Sequence, residues 1–592
     1  MDVFILQDSG NDQAEYLDEM LALWGGAGAM VGDQEEIPGD ASAVIVPAGY
    51  SGDWVALKSL LDGGVHLLLI APSSGALCSL GLDRTEMDFG DDGSLAALRL
   101  VRPLLHRFSH YSLPVLGRRT QNAQQGAGTA PPPDSVVWAY LYENSRTPGA
   151  RPGVWTVPAG RGQVTVFAYD LVDCYRNLRQ GRPENAGRWC PRSDNDRASS
   201  LFGPDWARDF ESRNMPLADF HPMLLLRLIE HHRDVALPRI WQLPGLHQSA
   251  VLISGDEDGA EIEEIEKINA FLDGLGATMT HYIMPGLTKC NVDHLQAWQE
   301  RGHGFSVHPY PNDEYAESHD PFSVCAVEIE RDVVEFRARF GQATRTVRNH
   351  RLFWSGYMDV PRLWQRLGIE MDCNYGYNVS TRRYSDFFST PPACLPISFL
   401  DENFRRIDVL QQPCHLGDDV AFNPDPKSDY TIRLTPEAVG AYAGSLFEET
   451  LRPLGVPFAV CFHPGNFAGY ANAAERTLLE RAASYGAALI SVTHWLDFWK
   501  TRRAWRLEDM ESTDHATTFR FAGEVPAHDL SVSLPVRYDD GRIGPVTVNG
   551  ETAEVSRIDH FGEERILARL PEGALQAEFV VEHERRRIPA NA

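Results

Sequence analysis

Residues Ala250-Val251-Leu252-Ile253-Ser254-Gly255-Asp256-Glu257-Asp258-Gly259 run from four apolar side chains into three consecutive acids. A short apolar run of this kind reads as a strand buried on both faces, the pattern of a parallel sheet. Acids at its end are expensive near a core unless a cation or a substrate neutralises them. One carboxylate can then ligate a divalent metal while a neighbour takes a proton. The plainer reading is an acidic turn capping a helix that begins near Ala260, since acids favour helix N-termini.

The same grammar recurs through residues 241–505. Met279–Met284 leads into Pro285-Gly286, Gly304–Val307 into His308, and Arg345–Val347 into Arg348-Asn349-His350. Ile369–Met371 leads into Asp372, Ile407–Leu410 towards His415, Phe458–Phe462 into His463, and Leu489–Val492 towards His494. Helical stretches lie between them; Ile262, Ile265, Ile268 and Leu272, for example, recur at three- and four-residue spacing. Roughly eight strand–helix units in about 260 residues is the arithmetic of a β/α barrel, where side chains at strand C-termini surround one site.

The flanks read differently. Residues 1–240 begin with strand and helix signals in alternation (Val3–Leu6, Ala43–Val46 and Val65–Ile70 as strands), which predicts a flavodoxin-like α/β domain. Residues 506–592 lose the helical period and show short strands, such as Thr517–Phe521 and Ala577–Val581, between Asp-Asp-Gly and Asn-Gly turns. A small β-sandwich is the simplest account. The whole is a multidomain α/β chain of 592 residues, divided at 1–240, 241–505 and 506–592.

Composition bounds the function classes. The chain is 43% hydrophobic, 10% aromatic and 23% charged, which is that of a folded protein. Its 54 basic against 82 acidic residues give a net charge of −28, so nucleic acid and anionic membranes are poor partners. The nine cysteines form no CxxC or repeated spacing, so neither a zinc ribbon nor a disulfide framework is signalled. The opening Met1-Asp2-Val3-Phe4-Ile5-Leu6 is no secretory signal, and no window is apolar enough for a transmembrane segment. A cytoplasmic location is expected, with export open if the start is trimmed.

Individual strand ends carry the chemistry. His308 precedes Pro309, which stops the chain continuing as a helix, and a neutral imidazole there suits a metal. Histidines alone are more often structural, and His303, His415 and His494 are read that way. Arg348 at a strand end can pair with a carboxylate, fix its orientation and hold it ionised. Trp354 and Tyr357 follow it and would wall a sugar ring or simply pack in the core. Asp372 is expected to orient a histidine. Cys461-Phe462-His463-Pro464-Gly465 delivers one histidine to a sharp turn, the place for a general acid.

The order of these segments resembles the NodB-type polysaccharide deacetylases, which fold as a distorted (β/α) barrel and hydrolyse N-acetyl groups with a divalent metal. The resemblance covers about 250 residues. It implies that Asp256 is the base and Asp258 a metal ligand, with Glu257 a competing assignment. It implies His308 as a second ligand, while Asn312 stands where the family places another histidine four residues on. The third ligand stays open among Asn312, His319 and His350. Arg348 matches the arginine that orients the base, and His463 the general acid. Residues 1–240 resemble a class I glutamine amidotransferase-like domain, but the turns Pro47-Ala48-Gly49 and Ala71-Pro72-Ser73-Ser74-Gly75 carry no cysteine, which implies a catalytically silent module.

The expectation is a metal-dependent amide hydrolase acting on an N-acetylated carbohydrate or small amine. Zinc suits the ligands, with cobalt, nickel and manganese also compatible. Two rivals stand beside it: a hydrolase of another amide, and a non-catalytic carbohydrate-binding scaffold on a decayed barrel. Substrate identity and oligomeric state are not legible, and a homo-oligomer stays open.

Overall fold

The computed structural model describes residues 3–584 except 8–12, 33–36, 40, 83–88, 91–93, 121–130, 133, 143–150, 187–197, 204–205, 207–209, 234–235, 312–320, 377–387, 389, 429–430, 514 and 539–540. Asn312 and His319 therefore lie outside the described residues. The chain groups into two compact units, each discontinuous in sequence. One takes Met1–Leu178, Phe220–Leu246 and Lys500–Ala592; the other takes Arg179–Asp219 and His247–Trp499. The chain passes between the units at 246/247 and 499/500, and the segment 179–219 clusters with the second unit.

The second unit is built on a ten-stranded sheet. Its strands are β1 (Ala250–Asp256), β2 (Thr280–Ile283), β3 (Gly304–Val307), β4 (Thr346–Val347), β5 (Met371–Asp372), β6 (Ile397–Leu400), β7 (Arg406–Gln411), β8 (Leu416–Gly417), β9 (Pro457–Phe462) and β10 (Ala488–Ser491). They run in the order β6-β7-β5-β4-β3-β2-β1-β9-β8, and β10 pairs with the first half of β1. Among the described residues no strand pair closes a ring, so the architecture is a curled half-barrel sheet rather than a closed eight-unit barrel. Every strand but β6 joins by parallel pairing; β6 runs antiparallel to β7. All residues of β1, β2, β9 and β10 are buried, as expected where both faces of a parallel sheet are covered.

Register explains why the chemistry gathers. Gly255 lies opposite Phe462, Asp256 opposite Tyr282, Ile283 opposite Val307, Val307 opposite Val347, and Val347 opposite Asp372. The residues that follow each strand, including Asp258, His308, Arg348 and His463, therefore emerge along one rim. Gly255 is needed for the close approach of β1 and β9: a Cβ there would meet the Phe462 carbonyl oxygen at 2.3 Å. The helix Ile262–Gly274 leaves this rim through a capping box of Glu261 and Glu264. It buries Ile265, Ile268, Phe271 and Leu272, so three of the four positions read from periodicity face the core. Burying each aliphatic side chain stabilises by about 1.5–3 kcal/mol.

The first unit holds a nine-stranded sheet. Five parallel strands, Ala29–Val31, Val3–Leu6, Ala43–Val46, His66–Ile70 and Gly162–Phe167, continue into four antiparallel ones. At the turn after His66–Ile70, Ala71 adopts φ 44, and Ser73 then caps the helix Ser74–Ser79. That strained corner carries alanine, and Cys78 sits exposed in the helix beyond it. The C-terminal strands fall into two antiparallel sheets, one of which takes its edge strand from Arg239–Ile240, well before the expected 506 boundary. Among the described residues no helix is long and apolar enough to cross a membrane.

Candidate metal and acid–base centre

The three acids at the end of β1 are separated by the pleat. Successive side chains along a strand point to opposite faces. Glu257 turns away and accepts a hydrogen bond from Thr288 Oγ1 at 2.9 Å. Asp256 and Asp258 both lie against His308, whose Nε2 is 3.8 Å from Asp256 Oδ2 and 3.2 Å from Asp258 Oδ1. Asp258 takes φ 48 and is followed by Gly259 at φ 74, a tight left-handed turn that throws its carboxylate back over the rim.

Asp256 is the guarded carboxylate. Arg348 donates from Nη1 to Asp256 Oδ1 at 3.0 Å and from Nη2 to Ser254 Oγ at 2.9 Å. Ser254 in turn donates to the Val460 carbonyl at 2.8 Å, and the guanidinium lies over the Tyr282 ring at 4.8 Å. Burial pushes the Asp256 carboxyl up, but His308, Arg348 and His463 outweigh it and hold the group below the usual carboxylate range. Asp258 is held low against the same opposition from burial, by the adjacent His308 and by His463.

His308 is buried with its two nitrogens in different roles. Nδ1 donates to the Arg348 carbonyl at 2.6 Å, which leaves Nε2 as the free ring nitrogen. That Nε2 is buried and has no hydrogen-bond partner, yet it faces two carboxylates. A lone pair aimed at carboxylate oxygens needs positive charge between them, either a proton or a cation. Burial lowers the affinity of His308 for a proton, and Asp256 and Asp258 more than restore it. The donor chemistry of Asp258 and His308 therefore fits a divalent ion.

His463 forms the other half. Its Nδ1 donates to Asp418 Oδ1 at 2.5 Å and its backbone N–H to Asp418 Oδ2 at 2.8 Å. Its Nε2 points back across the rim and lies 3.7 Å from Asp258 Oδ2. Burial disfavours the imidazolium, but Asp418 overrides it and raises His463 well above an ordinary histidine. Asp418 itself is buried at the junction of β8 and the short helix Asp418–Ala421.

Several sequence expectations land elsewhere. Asp372 does not orient a histidine: it accepts from Trp364 Nε1 at 2.9 Å and from Asn374 Nδ2 at 2.7 Å, and burial pushes it up to about 6. Asp418 holds the imidazole instead; Gly417-Asp418-Asp419 leaves no signal in the sequence because β8 is two residues long and shows no period. His350 sits with its ring 5.7 Å from that of His308 and 4.6 Å from Tyr310, and burial pushes it down to about 4. Among the described residues, the donor groups that gather within 4.8 Å are Asp256–Cys461–His463 and Asp418–Asp419–His463, not Asp258–His308–His350. Neither gathered group is a ready cation seat. Arg348 already claims Asp256, burial keeps the Cys461 thiol protonated, and Asp418 is spent on His463. Trp354 and Tyr357 are both buried, Trp354 donating to the Tyr357 carbonyl, so they pack in the core. His415 is likewise structural: Nδ1 accepts from Ala459 N–H, Nε2 donates to the Ala393 carbonyl, and the ring stacks on Phe458.

No protein-family model matches the sequence, and no curated protein matches it. Solved structures that resemble it include carbohydrate deacetylases. Agd3, a carbohydrate deacetylase, is similar over 98% of this chain and 99% of its own, at 10% identity and a TM-score of 0.38. The family 4 carbohydrate esterase from Streptomyces lividans, in complex with acetate, matches over 41% of this chain and 92% of its own, at 11% identity and a TM-score of 0.25. BA3943 from Bacillus anthracis, a CE4 family pseudoenzyme, matches over 43% and 67%, at 12% identity and a TM-score of 0.26.

Proposed function

We propose that this chain is a metal-dependent amide hydrolase that removes the acetyl group from an N-acetylated amino sugar or polysaccharide. The observation that carries the reading is His308: a buried Nε2 with no hydrogen-bond partner, its tautomer fixed by the Arg348 carbonyl, facing Asp258 and Asp256. Asp258 and His308 would hold the ion, with a further ligand from His350 or from Asn312 or His319. One carboxylate and one imidazole suit zinc, and cobalt, nickel or manganese compatibly. When bound, the ion supplies a more acidic water and polarises the acyl carbonyl.

The protein's own groups do the rest. Asp256 accepts the proton of the attacking water, and Arg348 keeps it ionised and aimed for that purpose. His463, held protonated by Asp418, faces the same space from the opposite side and donates to the departing amine nitrogen. Base and acid thus approach the scissile bond from two strands, β1 and β9, that pair directly.

The test pairs two readouts. Elemental mass spectrometry of the purified chain is expected to find about one divalent ion per molecule, lost in His308→Ala. Acetate release is then measured on N-acetylated glucosamine oligomers. A chain that takes up no zinc, cobalt or manganese and releases no acetate would overturn the reading and leave a carbohydrate-binding scaffold. Metal without acetate release would redirect it to another amide.

A further inference from the structure

Behind His463 and Asp418 lies a group that the acid–base reading does not use. Glu475 sits in the first turn of the helix Asn472–Ser484 and is completely buried. Neither of its carboxyl oxygens receives a hydrogen bond from any N–H or O–H group among the described residues. A buried carboxylate without a donor bears its full desolvation cost. The group it meets is another carboxyl, that of Asp418.

Two carboxyls can bond only by sharing a proton, so one must be the acid and the other the anion. The surroundings decide which. Asp418 receives three donors: His463 Nδ1 at 2.5 Å, the His463 backbone N–H at 2.8 Å and the Asp419 backbone N–H at 2.7 Å. Asp418 accepts from three sides, which suits it to the acceptor's part. Glu475 has none, so the proton belongs to it. Burial and the charge of Asp418 both push Glu475 well above an ordinary glutamate, against a smaller opposing influence of His463.

We propose that Glu475, as a neutral carboxylic acid, is a positioning residue that donates a hydrogen bond to Asp418 and so fixes the carboxylate that orients His463. The inference rests on His463 being the proton donor of the proposed hydrolysis. Glu475 touches no reacting atom. It adds a fourth donor to Asp418, holds that side chain in one rotamer, and withdraws some of the charge that Asp418 would otherwise place on the imidazole. The relay Glu475–Asp418–His463 joins a helix, a strand end and the rim without adding net charge to the interior.

Two variants and two readouts separate this role from packing. Glu475→Gln keeps a donor at the same reach; Glu475→Leu keeps bulk but no donor. In the infrared difference between wild type and Glu475→Gln at neutral pH, the wild type is expected to contribute the carbonyl stretch of a protonated carboxyl, with the small downshift that deuteration gives. Metal content is expected to stay at the wild-type level in both variants. Acetate release from N-acetylated glucosamine oligomers by Glu475→Leu is expected to fall roughly 10- to 100-fold in kcat with little change in KM, as for loss of an outer-shell partner, and Glu475→Gln restores most of it. Absence of the protonated-carboxyl band, or equal losses in the two variants, overturns the proposal. If Glu475→Leu does not fold, the infrared band still decides it. If the wild type releases no acetate, the hydrolase reading fails on its own while the band reports independently on the proton.

Discussion

Replacing Arg348 by methionine removes the buried guanidinium that pairs with Asp256, and its consequences can be worked from the geometry. The guanidinium is 1% exposed and its Nη1 stands 3.0 Å from Asp256 Oδ1. At that separation and an effective dielectric of about 20, the attraction is about 5.5 kcal/mol, much of it offset by the cost of burying both charges. Removing one partner is more severe than the net value of the pair, because the other charge is left buried; about 3–5 kcal/mol is expected. Hydrogen exchange of the β1 peptide reports on this locally, without assuming that the two compact units unfold together. Opening of Ala250–Asp256 should become two to three and a half powers of ten more frequent, at about 1.4 kcal/mol per decade. The double variant Asp256→Asn/Arg348→Met removes both charges and should recover at least about 2 kcal/mol of that loss. The reasoning is refuted if Arg348→Met changes exchange by less than about tenfold, or if the double variant is no better than the sum of the singles.

Three further outcomes are expected. Adding zinc at about 100 times its dissociation constant should slow exchange in Gly304–Val307 by the equivalent of about 2.7 kcal/mol, and should do nothing to His308→Ala; equal protection in both would place the ion elsewhere. Because Asp418 raises His463, the imidazole stays protonated through neutral pH and the rate falls only as pH rises through that elevated value. Asp418→Asn should therefore pull the alkaline limb of kcat to lower pH, and His463→Asn should cost about 10²- to 10⁴-fold in kcat; an unmoved limb would remove His463 from the role. Glu475 binds its proton more tightly folded than unfolded, so its contribution lowers stability as pH rises from the ordinary glutamate range towards its raised folded value. Urea titrations at about pH 5 and about pH 8 should show a smaller loss of stability with rising pH for Glu475→Gln than for wild type, and identical slopes would mean Glu475 is ionised.

How much of this was legible follows from the kind of signal each residue leaves. Strands buried on both faces are largely apolar, so β1, β3 and β9 and the polar residues that end them stand out in the sequence. The choice among Asp256, Glu257 and Asp258 did not, because only the pleat and the left-handed turn at Asp258 decide which carboxylates converge. Asp418 escaped because β8 has two residues, too few for any periodicity. Glu475 escaped for the opposite reason: a glutamate in the first turn of a helix reads as ordinary dipole complementation on a surface, and its burial is a tertiary fact. The antiparallel β6 was hidden by the prolines around it, which argue against a strand. Counting strand–helix units gives about eight strands where the sheet has ten, and it says nothing of whether the first and last would meet, since closure depends on twist and shear along the whole sheet.

The rival of a decayed scaffold can be weighed against the cost of what the rim retains. A buried ion pair such as Asp256–Arg348 is commonly matched or bettered in stability by apolar side chains of similar volume. An imidazole whose Nε2 is buried unpaired against carboxylates, and a glutamic acid buried without a donor, are each unfavourable on their own. A fold that needed this rim only for packing would gain by exchanging any of them for leucine or methionine, and the surrounding strands already show how readily such residues fit. Instead the costly groups are adjacent and mutually dependent. Arg348 steadies Asp256, the Arg348 carbonyl fixes the tautomer of His308, and Asp418 aims His463 towards Asp258. Charges that destabilise separately but hold one another in place suit the proton transfers of the proposed hydrolysis, and binding a sugar passively would not require them.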